Sequence, residues 1–360
     1  MKKVLLWVNH RKDRSPGQRY RIEQYLEYME QNGYEFKFSN ILDERTDALF
    51  YTGSVLDKAK VILRSFFIRL KDLMEVRKYD AVYVYREAFV LRGVFFERMV
   101  TWLGVKLVFD FDDSIWLANI SAENQKFSFL KNPLKTNTLI RLSDMTTVGN
   151  KYLKAYADQY GDHVVVLPTT INMKDYQLEK SLNKEGQVCI GWTGSPTTIP
   201  HFELIEDVLL ALKEKYKDQV YYKVIGDPNY TNEKLGVQGM PWSSETEALD
   251  LSELDIGIMP LENDEWSQGK CACKGLQYMA LGIPAVLSPV GINSDIITPN
   301  ENGFLAETKE EWLDVLSQLI DDLSLRKRIG EKGRETVQNH FSSDVIKHDY
   351  LKYFNELIDK

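Results

Sequence analysis

Short apolar runs alternate with longer amphipathic stretches along the whole chain. Residues 4–8, Val-Leu-Leu-Trp-Val, lie between Lys2-Lys3 and Asn9-His10 and read as a buried strand. Residues 19–32 carry helical periodicity and stop at Gly33. Further strands are predicted at 35–38, 81–85, 106–110, 145–148 and 164–167, with a helix at 94–103. The stretch that follows Pro168, up to Gly186, is polar and poorly periodic. The pattern then restarts. Strands are predicted at 188–192, 221–225, 256–259, 285–288 and 303–305, and helices at 201–216, 312–323, 325–341 and 344–358. Such alternation predicts parallel sheets with crossover helices.

The expected architecture is therefore α/β, with two Rossmann-like parallel-sheet domains facing across a cleft. Residues 1–168 form the first domain, 169–186 a linker and 187–342 the second. Residues 343–360 form a C-terminal helix expected to return to the first domain. Ligands of such folds sit at the carboxyl ends of the strands.

The 360 residues are 44% hydrophobic, ample for two cores. The net charge of −8 argues against nucleic acid as a general partner. Three cysteines make no disulfide framework and fit a reducing cytoplasm. The first apolar run is too short for a signal peptide, and no run of about 18 apolar residues exists to span a bilayer. Residues 58–78 stand apart. Seven basic residues against Asp72 and Glu75 give a local charge of +5, interleaved with Val61, Ile62, Leu63, Phe66, Phe67, Ile68, Leu70, Leu73 and Met74. Such a helix can lie on an anionic bilayer, or it can be a core helix with a solvated basic face.

Candidate chemistry concentrates at strand ends. Residues 266–284 read as a loop with Gly269, Lys270 and Lys274, then a helix, then a Gly-Ile-Pro stop. Two lysines beside a helix start suit a phosphate-bearing ligand. If helical, Lys270 and Lys274 share one face, and Gln277 sits one turn further in, where an amide suits sugar hydroxyls. The strand-to-helix loop with Gly194, Ser195 and Thr198 can approach a diphosphate, although it matches neither common phosphate-loop pattern. In the first half, Asp110, Asp112 and Asp113 close one strand and Arg86-Glu87 follow another. Arg19 and Arg21 lie in the first strand-to-helix connection. The basic residues suit an acceptor or phosphate groups, with salt bridges to Glu87 or Glu97 as the structural alternative. The pair Cys271 and Cys273 is a poor zinc signal, and no Ser/His/Asp or metal spacing emerges.

At these residues the chain resembles the GT-B glycosyltransferases, specifically the large family-four group (glycosyltransferase group 1) in a bacterial branch. The resemblance rests on Gly269-Lys270-Cys271, Lys274 and Gln277-Tyr278-Met279-Ala280 through Pro284. It extends to Arg86-Glu87, the Phe-Asp-Phe-Asp-Asp element at 109–116, and Ser15 with Arg19-Tyr20-Arg21-Ile22. It departs where many members carry two glutamates eight positions apart, since Gly269 and Gln277 stand there. The resemblance implies transfer of a sugar from a nucleotide-diphosphate sugar, with donor binding in the second domain by Gly194, Ser195, Thr198, Lys270, Lys274 and Gln277. It places the acceptor on the first domain, with Arg19, Arg86 and Glu87 as binding residues and Asp113 or Asp112 as the catalytic residue. It further implies retention, no required cofactor and no metal. A lipid-linked glycan acceptor, surface polysaccharide synthesis and a cytoplasmic enzyme peripheral on the inner membrane face complete the expectation. A non-catalytic two-domain binding protein and a nucleotide-sugar epimerase are the alternatives.

Overall fold

The computed structural model describes residues 1–117, 132, 134–177 and 186–359. The chain divides into two compact units, residues 1–168 with 346–360, and residues 169–345.

The first unit runs β1 (Lys2–His10), α1 (Pro16–Arg21), α2 (Leu26–Gln31), β2 (Tyr34–Leu42), α3 (Glu44–Thr52), α4 (Val55–Glu75), β3 (Ala81–Tyr85), α5 (Phe95–Trp102), β4 (Lys106–Phe111), α6 (Lys135–Leu142), β5 (Met145–Val148), α7 (Lys151–Ala157) and β6 (Val164–Val166). Among the described residues its strands form one parallel sheet, in the order β2-β1-β3-β4-β5-β6. The inner strand β3 is apolar throughout because both faces are covered, whereas edge strand β2 exposes Glu35 and Lys37. The single helix expected at 19–32 is interrupted. Ile22 leaves helical geometry at φ −137°, and a tight turn at Glu23–Tyr25 separates α1 from α2. Both pieces bury the same sheet-facing side, so their apolar pattern reads as continuous.

The unit's core includes Val4, Leu6, Val8, Tyr25, Met29, Tyr83 and Val108. The helix Ser343–Ile358 adds Ile346, Tyr350, Phe354 and Leu357 to it. Tyr350 stacks on Tyr25 at 4.0 Å and donates to the Arg21 carbonyl.

The second unit runs β7 (Val188–Thr193), α8 (Ile199–Glu203), α9 (Glu206–Tyr216), β8 (Val220–Ile225), β9 (Thr231–Asn232), β10 (Val237–Gln238), α10 (Glu247–Ser252), β11 (Ile256–Met259), α11 (Glu265–Gln268), α12 (Cys273–Ala280), β12 (Ala285–Leu287), α13 (Asn293–Ile296), β13 (Phe304–Leu305), α14 (Lys309–Asp321) and α15 (Leu323–His340). Its parallel sheet has the order β13-β12-β11-β7-β8, with β9 and β10 a small antiparallel pair. The strand order reverses between β7 and β11, the kind of position where doubly wound sheets bind ligands. The helix expected at 201–216 is two, broken at Leu204-Ile205.

Residues 169–177 are integrated into this unit. Ile171 bridges to Ser342, and Tyr176 is buried. The rest of the expected linker, except Gly186, lies outside the described residues.

The basic aromatic helix is α4, and its two faces are the reverse of a usual surface helix. Val61, Ser65, Arg69 and Asp72 face inward. Leu56, Leu63, Phe67, Leu70 and Met74 are exposed, at 73, 58, 57, 38 and 76% of their areas. Arg69, expected on the basic face, is fully buried. It donates to the carbonyls of Val8 (3.1 Å), Ser39 (2.9 Å) and Ala88 (2.7 Å) and pairs with Asp72 at 3.1 Å. Its guanidinium is needed to close backbone groups at the strand ends, so it leaves the surface. No described helix is long and apolar enough to cross a membrane.

Candidate functional site

In the first unit, three motifs converge at the carboxyl ends of β1, β3 and β4. Asp112 receives hydrogen bonds from Tyr85 Oη (3.0 Å), Arg86 Nε (2.9 Å) and Arg86 Nη2 (2.7 Å). Arg86 Nη2 also reaches Asp113 Oδ2 at 2.6 Å. Burial opposes the Arg86 charge, but Asp112 and Asp113 outweigh it and raise its pKa well above the ordinary value. Arg86 adopts φ +61°, a left-handed backbone rarely taken by a long side chain, and its N–H donates to the Asp110 carbonyl at 2.7 Å. Gly17 closes the cluster, because a Cβ there would strike the Tyr85 hydroxyl.

The neighbouring candidates go elsewhere. Glu87 pairs with Lys135. Arg19 lies over the Tyr20 ring and donates to its hydroxyl at 2.6 Å. Arg21, expected to serve an acceptor, is wholly buried and cannot. It pairs with Asp110 (Nε to Oδ2, 3.0 Å) and donates to the Leu167 carbonyl, while Thr147 holds the other Asp110 oxygen at 2.5 Å. Its position in α1 faces the sheet, and the charge is retained there because Asp110 and a carbonyl satisfy it. Asp110 is thereby removed from the exposed carboxylates.

In the second unit, Trp192 organises the site. This side chain is fully buried at the end of β7 and packs on Phe202 at 6.0 Å. Lys274 Nζ lies 5.2 Å from the Trp192 ring centre, in the first turn of α12. A Cβ on Gly194 would collide with the Trp192 ring and the Thr198 hydroxyl, so only glycine lets the loop lie there. Gly226, at φ +132°, presses against the Gly194 carbonyl from β8.

The amides of this loop are largely engaged within the chain. Gly194 N–H donates to Ile225 (2.9 Å), Ser195 N–H to Thr198 Oγ1 (3.0 Å) and Thr198 N–H to Ser195 (2.8 Å). The loop therefore offers a close backbone approach and the Ser195–Thr197 hydroxyl pair, 3.0 Å apart, more than a row of N–H donors. The Ser-Pro-Thr-Thr sequence forms a tight capped turn that consumes the amides.

Lys270 lies outside the helix, so helical spacing does not bring it beside Lys274. Ala272 turns the chain through the left-handed region at φ +54° before α12 begins. Lys270 Nζ lies 5.3 Å from the Trp266 ring centre. Both lysines act on His201, whose pKa is lowered to about 4, chiefly by burial, then by Lys274 and Lys270, with Asp264 opposing.

Gln277 is buried, and its amide donates to Tyr176 Oη at 2.9 Å. Tyr176 passes the bond to Glu247 at 3.2 Å, which also accepts from Trp242 at 2.9 Å. Arg334 holds the Tyr176 carbonyl at 2.9 Å. His201, Tyr176 and Glu247 were not singled out from sequence. The first is one of five scattered histidines, and the other two meet only through the fold.

A cavity of about 320 Å³ opens beside the ends of β11 and β12, lined by Leu204, Pro260, Asn263, Val290, Glu307 and Trp312 among others. None of the sequence-predicted residues lines it. Among the described residues, no group of three or more His, Cys, Asp or Glu could hold a metal ion.

Two parallel-sheet units of this kind define the GT-B class of fold. Known structures agree at low identity over the full chain. Sucrose-phosphate synthase from Thermosynechococcus elongatus matches with a TM-score of 0.70 at 14% identity, covering all of both chains. HepE of Anabaena, in complex with UDP and glucose, matches at 0.69 and 13%, covering 99% of this chain and 100% of that one.

Within this fold, residues 270–336 match the family model for glycosyl transferases group 1, the family that the motifs resemble. The capsular polysaccharide biosynthesis glycosyltransferase CapM of Staphylococcus aureus is 31% identical over 85 residues, 23% of this chain and 22% of CapM. A GDP-mannose-dependent α-1,2-mannosyltransferase of Dictyostelium discoideum is 27% identical over 111 residues, 31% of this chain and 21% of that protein. The aligned stretch spans about a fifth of the length of these curated relatives.

Proposed function

We propose that the protein is a glycosyltransferase that takes a sugar from a nucleotide-diphosphate donor bound on the second unit. The observation that carries this reading is the meeting of the 194–198 turn with Lys274 around Trp192. Both lysines lie inside the segment matched by the family model. Two ammonium groups beside a close backbone approach suit a diphosphate. They would stabilise the charge that develops on it as the glycosidic bond breaks. Gln277, held by Tyr176, is assigned to the donor's sugar hydroxyls.

Acceptor binding falls to the first unit, with Arg19, Arg86 and Glu87 toward the acceptor and Asp113, then Asp112, as the catalytic carboxylate. The Arg86 ion pairs would fix both aspartates in orientation. Retention of configuration, with neither metal nor other cofactor required, is part of the same reading. So is a lipid-linked glycan acceptor in surface polysaccharide synthesis, supported by the exposed apolar stripe of α4 among Lys58, Lys60, Arg64 and Lys71. In the same reading the enzyme works in the cytoplasm, peripheral on the inner membrane face.

The test is product analysis with UDP-, GDP-, ADP- and dTDP-sugars and a lipid-linked glycan acceptor. Transfer to the acceptor is expected with one donor class, and that donor should raise the thermal midpoint. Lys274→Ala should lower kcat/KM by about 10²–10³-fold, as loss of a group that stabilises transition-state charge does. Isomerised sugar without transfer would establish an epimerase, and binding without turnover a receptor.

A further inference from the structure

We infer that His10 is a sugar-binding residue of the first unit, its Nε2 accepting a hydrogen bond from a hydroxyl of the acceptor glycan. This inference rests on the acceptor reading above. It adds a site, built from His10, Asp47, Tyr51 and Arg14, that neither the sequence motifs nor the family match assigns.

Two strand ends and one helix assemble the site. His10 is the last residue of β1 and pairs with Leu42, the last of β2. The helix α3 begins at Glu44, behind the reciprocal cap of Asp43 and Thr46. Its Leu49 and Phe50 pack on the small core of Ile41, Leu42 and Val61. Asp47 and Tyr51 lie one turn apart on α3 and share the face that meets His10. His10 Nδ1 lies 3.2 Å from Asp47 Oδ1, and His10 Nε2 lies 3.4 Å from Tyr51 Oη. The two rings stack at 6.2 Å with 10° between their planes. Arg14 Nε donates to the other Asp47 oxygen at 2.8 Å.

The loop that carries Arg14 is tied down from below. Buried Gln18 accepts the His10 N–H at 3.3 Å and donates to the His10 carbonyl at 3.0 Å and to Glu23. Glu23 in turn accepts the Asp13 N–H at 2.8 Å. The loop closes at Gly17, which packs against Tyr85 and Asp112. The imidazole therefore belongs to the same row of strand ends as the Asp112 cluster, the place where such sheets bind ligands.

The chemistry follows from these partners. The Asp47 carboxylate can only accept, so it takes the Nδ1 proton and leaves the lone pair on Nε2. Burial lowers the His10 pKa, Asp47 opposes it, and Arg14 and Arg11 lower it further, so the ring is neutral at pH 7. Arg11 itself pairs with Glu44 at 3.9 Å. Tyr51 is the donor to Nε2, across a distance longer than a good hydrogen bond, and more than half of it is exposed. A sugar hydroxyl can displace the Tyr51 hydroxyl there, while the phenol ring adds apolar contact for the sugar's C–H edge. Arg14 and Arg11, half-exposed on the same loop, are donors suited to sugar oxygens. A hydroxyl that donates to Nε2 requires the neutral ring. Binding is therefore full above the His10 midpoint and is lost as pH falls through it, below the ordinary histidine value.

The experiment uses the full chain with ¹⁵N-labelled histidine rings and NMR titration with the methyl glycosides of glucose, galactose, mannose and N-acetylglucosamine. His10→Phe assigns the His10 signal among the five histidines and keeps a ring against Tyr51. The free protein should show the Nδ1–H tautomer at His10. One glycoside should shift the Nε2 resonance and lower the midpoint of the ring. His10→Phe should bind that glycoside about 2–10-fold more weakly, the worth of a neutral hydrogen bond. His10→Gln, which restores an amide oxygen as acceptor, should keep most of the affinity. An Nε2–H tautomer, no glycoside that moves the His10 signal, or equal affinity in His10→Phe overturns the inference and leaves the donor reading standing. Glycoside binding at His10 in a chain whose thermal midpoint responds to no nucleotide sugar upholds the sugar site and overturns the donor reading instead.

Discussion

Arg21 and Arg86 show how one residue type, read from the same kind of motif, is put to two uses. Arg21 is sealed against Asp110 in the first unit, and Arg86 sits half-exposed across Asp112 and Asp113. Arg21→Leu should cost about 3–5 kcal/mol in denaturant unfolding, because it strands a buried carboxylate. Combining it with Asp110→Leu should recover most of that loss, since two apolar residues leave no unpaired charge. A double variant no more stable than the single one would mean that Arg21 acts through its bond to Leu167 instead. The sequence placed Arg19, Arg21, Arg86 and the aspartates near the same strand ends, which follows from strand polarity alone. Which arginine meets which aspartate depends on distances across the sheet, and no spacing along the chain encodes them. The same holds for His201, whose surroundings come from α12 and its preceding loop, some 70 residues further on.

At the scale of elements, strands were legible because parallel strands covered on both faces are continuous apolar runs. Ala81–Tyr85, Met145–Val148 and Ile256–Met259 coincide with their expected bounds. Helix breaks were not legible, since the pieces on either side of Ile22 and of Leu204-Ile205 keep their apolar residues in phase. No helix was expected at α3, α6 or α7. The element with most at stake is α4. Its outward Leu63, Phe67, Leu70 and Met74 recur at helical spacing, and the helix contacts α5, which exposes Phe95 and Trp102. Each nearby Lys or Arg contributes about 1 kcal/mol of attraction to an anionic surface. The full chain should therefore sediment with vesicles containing phosphatidylglycerol and remain free of phosphatidylcholine vesicles. Leu63→Glu with Phe67→Glu should abolish sedimentation without lowering the thermal midpoint, because neither side chain is core. Unchanged sedimentation would remove the membrane reading.

At the scale of the whole molecule, the chain leaves its first unit at Pro168 and re-enters it at Ile346. The returning segment brings Ile346, Tyr350, Phe354 and Leu357 to the core, each worth about 1.5–3 kcal/mol when buried. Set against a typical stability of about 5–15 kcal/mol, this is a large share. Removing residues 343–360 should therefore unfold the first unit while leaving the second with a separate thermal transition, read by calorimetry and by loss of the Tyr25 environment. The two-part plan was visible in the restart of strand–helix alternation after residue 186. The place of residues 169–177 within the second unit was not, because Tyr176 lies in a polar stretch that gives no hint of its partners Gln277 and Glu247. The return of the last helix also has a consequence for how the protein is made. Residues 169–345 must leave the ribosome before the earliest strands receive their final cover. At about 5–20 residues per second this is a wait of roughly 10–35 s. During that interval the part of the nascent core that Tyr350 and Phe354 complete stays open, which makes the growing polypeptide a natural client for chaperones until the returning helix has been made.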